Sequence, residues 1–142
     1  NTSPVVRFGQ SCEFVDTASV ANIHNGFLDQ QQKTSTPGAV YEVYGGRVSL
    51  FATVTSMNIR RGAVVEHNSG TITNCVVYGG GEFDASAGSV STITNMACHP
   101  GFALKDPSGK ITFTNGIDFV GCSPADGLFD VKANLTWTAS TI

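Results

Sequence analysis

Apolar side chains in this chain keep fixed distances from a recurring pair of glycines. Gly38, AVYEVYG and Gly46 lead into RVSL; Gly62, AVVEHNS and Gly70 lead into TITN. Gly80, GEFDASA and Gly88 lead into SVST, and Gly101, FALKDPS and Gly109 lead into KITF. A fifth, degenerate copy starts at Gly127, where LFDVKAN precedes LTWT. Three residues after each opening glycine stand Tyr41, Val65, Phe83 and Leu104, and ten residues after it stand Val48, Ile72, Val90 and Ile111. Both columns are apolar throughout, while the position four residues after the glycine is charged in every copy: Glu42, Glu66, Asp84 and Lys105.

Such a pattern is what stacked coils demand. If each copy is one coil of a solenoid, equivalent residues lie one strand spacing apart, roughly 4.7–4.9 Å, and an inward position must be apolar in every coil. The chain is therefore expected to be all-β, a short β-solenoid of about four to five coils over residues 38–142. Glycine suits the corners, because a sharp bend between short strands needs φ values that a Cβ resists. The opening glycines are 24, 18, 21 and 26 residues apart, so coil length varies and stretches such as FATVTSMNIRR or CHP bulge from one side. Residues 1–37 lack the spacing. They hold a strand-like SPVVRFG, then EFVDTASVANIHNGFLDQQQK with a helical look, then the turn signal TSTPG, and are expected to cap the first coil against edge-to-edge pairing. An antiparallel β-sandwich or jelly roll is the alternative, since hairpins also place turn residues at about this interval.

Composition narrows the partners. The 142 residues are 41% hydrophobic and 13% charged, enough for one compact core. Eight Lys and Arg against 11 Asp and Glu leave no basic footprint for a nucleic-acid backbone. The longest uncharged stretch, residues 85–104, is rich in Ser, Thr and Asn and contains Cys98-His99-Pro100, so it is not a membrane span. Asn1-Thr2-Ser3-Pro4 reads as a mature start, with any leader removed. Cys12, Cys75, Cys98 and Cys122 contain no C-x-x-C pair, and are expected to form two disulfides, three pairings being open. That expectation places the chain in an oxidising, extracellular setting. Asn1-Thr2-Ser3 and Asn134-Leu135-Thr136 are glycosylation sequons.

VYEVYGGRVS, RRGAVVEHNSGTITNCVVYGGG and ASAGSVSTITN resemble the Gly-, Ser-, Thr- and Asn-rich repeats of bacterial autotransporter adhesin passengers of the AIDA type, and also the short-coil solenoids of phage tail fibres and tailspikes. The likeness covers residues 38–119. It implies an elongated, surface-displayed, adhesive or scaffolding module without catalysis.

Candidate chemistry starts with the charged column. Glu42, Glu66 and Asp84 would stack one strand spacing apart, either splayed in solvent or holding a cation such as Ca²⁺ through oxygen ligands. The G-G-x-G-x-D spacing of calcium-binding solenoids is missing. Glu82 and Asp84 share a face of one strand, the arrangement a glycosidase or lyase uses for acid and base. A surface that hydrogen-bonds sugar through Asp84, Asn74 and Tyr78 is expected ahead of catalysis. Tyr44 and Tyr78 each precede a corner glycine and could stack on a pyranose, whereas Tyr41 falls in an inward column and Trp137 covers the last coil. His24, His67 and His99 lack metal-ligand spacing and are expected to be ordinary strand or loop residues; Arg60-Arg61 reads as a solvated corner. No G-x-S-x-G elbow or G-x-G-x-x-G is present, and Gly79-Gly80-Gly81 lacks the Lys-Ser/Thr of a phosphate loop. No cofactor is expected.

The expected function is a non-enzymatic extracellular surface or structural protein, an adhesin module or building block of a fibre or coat. Its partners would be copies of itself or a surface glycan. A carbohydrate-binding or carbohydrate-cleaving module of tailspike type is the alternative, and a pilin-like sandwich that polymerises by strand exchange is a third.

Overall fold

The computed structural model describes residues 40–132 except 52, together with the backbone of five further strands at residues 5–6, 13–15, 20–23, 27–29 and 138–140. Those five are β1 (Val5–Val6), β2 (Glu13–Val15), β3 (Val20–Ile23), β4 (Phe27–Asp29) and β16 (Thr138–Ser140). Between them run β5 (Val40–Val43), β6 (Gly46–Leu50), β7 (Val54–Ile59), β8 (Ala63–His67), β9 (Ile72–Val77) and β10 (Glu82–Asp84). β11 (Ser91–Cys98), β12 (Ala103–Asp106), β13 (Ile111–Phe113), β14 (Ile117–Val120) and β15 (Leu128–Val131) complete the set.

Successive strands alternate between two sheets. The first, sheet A, runs β1-β3-β5-β7-β9-β11-β14-β16, with β13 also paired to β11; the second, sheet B, runs β15-β12-β10-β8-β6-β4-β2. Every pairing is parallel. A parallel ladder of short strands that returns to its neighbour after each circuit is a β-solenoid, and it excludes the antiparallel sandwich. The stretch expected to cap the first coil contributes β1 to β4, which are bonded into the same two sheets. Stacking thus extends upstream of Gly38, and the segment with a helical look contains β2, β3 and β4.

The core is built of columns. In sheet B, Val48, Val65, Phe83, Leu104 and Phe129 are in register, and the first four are fully buried. In sheet A, Tyr41, Met57, Cys75, Met96 and Ile117 form one inward column, and Val43, Ile59, Val77, Cys98 and Phe119 the next. A third inward column, Val54, Ile72, Ile93 and Phe113, runs from the first residues of β7 and β9 through β11 to the end of β13. Two sequence expectations change here. Tyr41 is inward, but in sheet A rather than above Val65, because the Gly38 copy is half a coil out of phase with the rest. Val90 is not inward at all: it is 82% exposed, and Ile93 fills the place opposite Ile72. The physical reason is length. Nine residues separate Asp84 from Ile93 where six separate Glu66 from Ile72, and the surplus turns Val90 outward.

Glycine sets one row of corners. Arg60–Ala63, Tyr78–Gly81 and His99–Phe102 are tight turns, each closed by a bond from the fourth N–H to the first carbonyl. Gly62, Gly80 and Gly101 hold the third position at φ of 82°, 81° and 85°, a conformation that side-chain-bearing residues adopt at a cost. The corners themselves form a ladder: Gly62 N–H donates to the Gly80 carbonyl, Gly80 N–H to Gly101, and Gly101 N–H to Asp126.

Candidate functional site

Two outward rows of sheet A meet at a groove. Within β9 and β11 the inward residues are Ile72, Cys75 and Val77, and Ile93, Met96 and Cys98, so the strand bends at Thr73-Asn74 and Thr94-Asn95. That bend puts Asn74 and Asn95 on an exposed ridge. Asn95 Nδ2 donates to Asn74 Oδ1 at 2.9 Å, and Asn115 Nδ2 donates to Asn95 Oδ1 at 2.6 Å. Asn115 sits in the turn that divides β13 from β14, so one long strand, β11, spans both. Beside the amide ladder run Val76, Ala97 and Asp118, in register as the next outward row. Together with Gly116 these residues line a groove of about 310 Å³.

Beyond that row stands a stack at the turn corner. Arg60 Cζ lies 3.9 Å from the centroid of the Tyr78 ring, and Tyr78 stacks on His99 at 4.6 Å and 18°. Tyr44, Arg60, Tyr78 and His99 occupy equivalent places in successive coils, each one residue after the in-register Val43, Ile59, Val77 and Cys98. Tyr78 thus has one face against a guanidinium and the other against an imidazole. It offers no free face to a sugar ring, which corrects the stacking role expected for it. Tyr44 is 43% exposed at the far end of this row.

The other candidates sit elsewhere. Asp84 lies on the outer face of sheet B, away from Asn74 and Tyr78, so the four expected sugar-binding residues do not converge. Partial burial opposes its charged form, but the Ser86 hydroxyl and N–H, Lys105 and Arg47 outweigh this and hold its carboxyl below the usual range. Glu66 and Asp84 do stack in register, whereas Glu42 is on sheet A, bonded by Asn58 at 2.6 Å and Arg60 at 3.3 Å. Glu66 pairs with Arg47, and Glu82 pairs with Lys105 at 2.6 Å. Among the described residues, no three His, Cys, Asp or Glu side chains gather where a metal ion could be held. The groups proposed as a calcium column and as an acid–base pair are instead tied to cations and a turn.

Disulfides are also corrected. Cys75, Cys98 and Cys122 are free thiols. Cys75 faces Met96 and Cys98 faces Val77 across the ladder, so the two cysteines are offset along the strands rather than opposed. Cys122 lies past the end of β14, its Sγ donating to the Cys98 carbonyl at 3.4 Å. Burial pushes the Cys75 and Cys98 thiols far above their ordinary value. Cys12, His24 and Trp137 lie outside the described residues.

One constellation was missed in the sequence, because its members are 15 to 39 residues apart and only stacking unites them. His67 and Asp106 occupy the inward position that Leu50 and Ala85 fill in other coils, and both are fully buried. The Ser91 hydroxyl is 3.4 Å from His67 Nε2. A nucleophilic triad needs a base free to take the hydroxyl proton and a carboxylate that orients it. Neither condition is met. His67 Nε2 is 2.8 Å from the Gly70 carbonyl, which only accepts, so Nε2 carries the hydrogen; Ser91 Oγ also donates to that carbonyl. The Asp106 oxygens accept the N–H groups of Lys110 and Ile111, each at 2.9 Å, and His67 Nδ1 has no partner.

No protein-family model matches this chain, and comparison with curated proteins and with solved structures gives no match either.

Proposed function

We propose that this chain is a non-enzymatic extracellular surface or structural protein, an adhesin module or fibre building block that displays its outer face. The observation that supports this best is the regularity of that face. Parallel ladders carry the same inward columns through successive coils, so the outer rows repeat at the strand spacing on a stiff backbone. Side chains on those rows are spent in bonds between coils: Arg47 to Glu66, Arg60 to Glu42, Lys105 to Glu82, and the asparagine ladder. Such cross-coil pairing stiffens a presenting surface. Self-association has a template as well, because β15 is one of the two end strands of sheet B among the described residues and its Leu128 is half exposed. An extracellular location fits display, although it no longer rests on disulfides.

The test incubates the protein with a panel of soluble and insoluble polysaccharides and reads retention and new reducing ends in the same samples, with light scattering on the protein alone. Retention or assembly without reducing ends is the expected result. Release of reducing ends that disappears in the double variant Glu82→Ala, Asp84→Ala would overturn the non-enzymatic reading.

A further inference from the structure

We propose that the sheet-A groove along the asparagine ladder binds an uncharged saccharide chain, laid along the solenoid axis. The proposal rests on the display reading above and names its ligand. Hydrogen-bond inventory comes first. A side-chain amide has two N–H donors and two acceptor lone pairs. In the ladder, Asn95 gives one N–H to Asn74 and accepts one from Asn115, which leaves a donor and an acceptor on the same exposed amide. Because the ladder fixes each amide plane, these spare groups are pre-oriented, and binding need not freeze them. Hydroxyl groups, which donate and accept at once, are the natural complement to such an edge.

The floor supplies the second element. Val76 and Ala97 are half-buried, small and apolar, and they line the groove beside the ladder. A flat strip of this kind accommodates the C–H face of a sugar ring. Repeat length is the third element. Equivalent amides recur at the strand spacing of roughly 4.7–4.9 Å, comparable to the length of one pyranose unit, so consecutive rings would meet consecutive coils.

Charge selects among saccharides. Asp118 is the one carboxylate among the residues that line the groove, the buried Cys75 thiol being held neutral, and no Lys or Arg lines it. A carboxylate accepts from sugar hydroxyls but repels uronates, sialic acids and sulfated sugars. The ligand is therefore a neutral chain rather than an acidic one.

The experiment measures binding of the full chain to neutral oligosaccharides and to oligogalacturonate by calorimetry. It compares the wild type with Asn95→Ala, with Ala97→Arg, and with Glu66→Gln on the opposite sheet as a control. Circular dichroism checks that each variant keeps its sheets. Expected are saturable binding of a neutral oligosaccharide, a loss of about tenfold or more in Asn95→Ala and Ala97→Arg, and no change in Glu66→Gln. Folded protein that binds no neutral oligosaccharide would overturn the proposal while leaving the display reading standing. Unchanged affinity in Ala97→Arg, or preference for oligogalacturonate, would equally overturn it. Cleavage of the oligosaccharide by the wild type that is lost together with binding in Ala97→Arg would support the groove and overturn the non-enzymatic reading.

Discussion

At the scale of single residues, the two polar side chains in the Leu50–Ala85 column are the sharpest test of the packing. Asp106 is fully buried and holds the N–H groups of Lys110 and Ile111, closing the corner between β12 and β13. Asp106→Ala would strand those donors and is expected to cost roughly 2–4 kcal/mol, read as a lower urea midpoint at unchanged slope. His67 responds to pH instead. Burial lowers its pKa, outweighing the Gly70 carbonyl and the Asp106 charge, which favour the proton. Protonation would also place an N–H at Nδ1, where no acceptor waits. The unfolded chain therefore binds the proton more readily than the folded one. Stability contributed by neutral His67 is complete above about pH 6.5 and is lost as pH falls through and below that value. His67→Leu, which restores the residue type of Leu50, should flatten the melting temperature between pH 7 and 5; an unchanged slope would show that another group titrates. Neither residue was legible beforehand, because a His or Asp at an inward position looks like any strand polar residue until the register is known.

At the scale of elements, the corners decide coil geometry, and their glycines do different jobs. Gly62 has φ of 82° with open space around its missing Cβ, so Gly62→Ala should cost only the left-handed conformation, about 1–2 kcal/mol. Gly79 has an ordinary φ, but a Cβ there would run into the Pro100 carbonyl of the next coil. Gly79→Ala should therefore destabilise more than Gly62→Ala in thermal melts, since backbone must shift and the Gly80–Gly101 bond shifts with it. The G-x7-G spacing revealed these corners because bend chemistry is local. It placed Val65, Phe83 and Leu104 in one column for the same reason. It failed where coil length changed: Val90 was displaced by the three extra residues after Asp84, and the Gly38 copy belonged to the other sheet. The Asn74–Asn95–Asn115 ladder was only glimpsed through Asn74, since its spacings of 21 and 20 residues differ and Asn115 reaches it from a turn that splits a strand.

At the scale of the whole molecule, the outer rows carry the chemistry and the inner columns carry the stability. Cys75 and Cys98 belong to the inner set. A thiol reagent should leave both unmodified in the native protein and label them on unfolding, and reductant should not change how the coils between β5 and β15 melt. Cysteine count alone had suggested bridges, but even number and wide spacing do not say that two sulfurs face each other. What the sequence could carry was the stacked all-β architecture; which outer row meets a ligand depended on register. Register is accordingly the property to measure most directly. Glu66 and Asp84 are in-register neighbours in sheet B, one strand spacing apart and within disulfide reach, whereas Glu66 and Lys105 are two spacings apart, about 9–10 Å, and beyond it. The double variant Glu66→Cys, Asp84→Cys should oxidise to an intramolecular bridge mapped by peptide mass spectrometry, while Glu66→Cys, Lys105→Cys should not. A bridge in the second variant but not the first would contradict the in-register parallel stack and, with it, the groove and the displayed face.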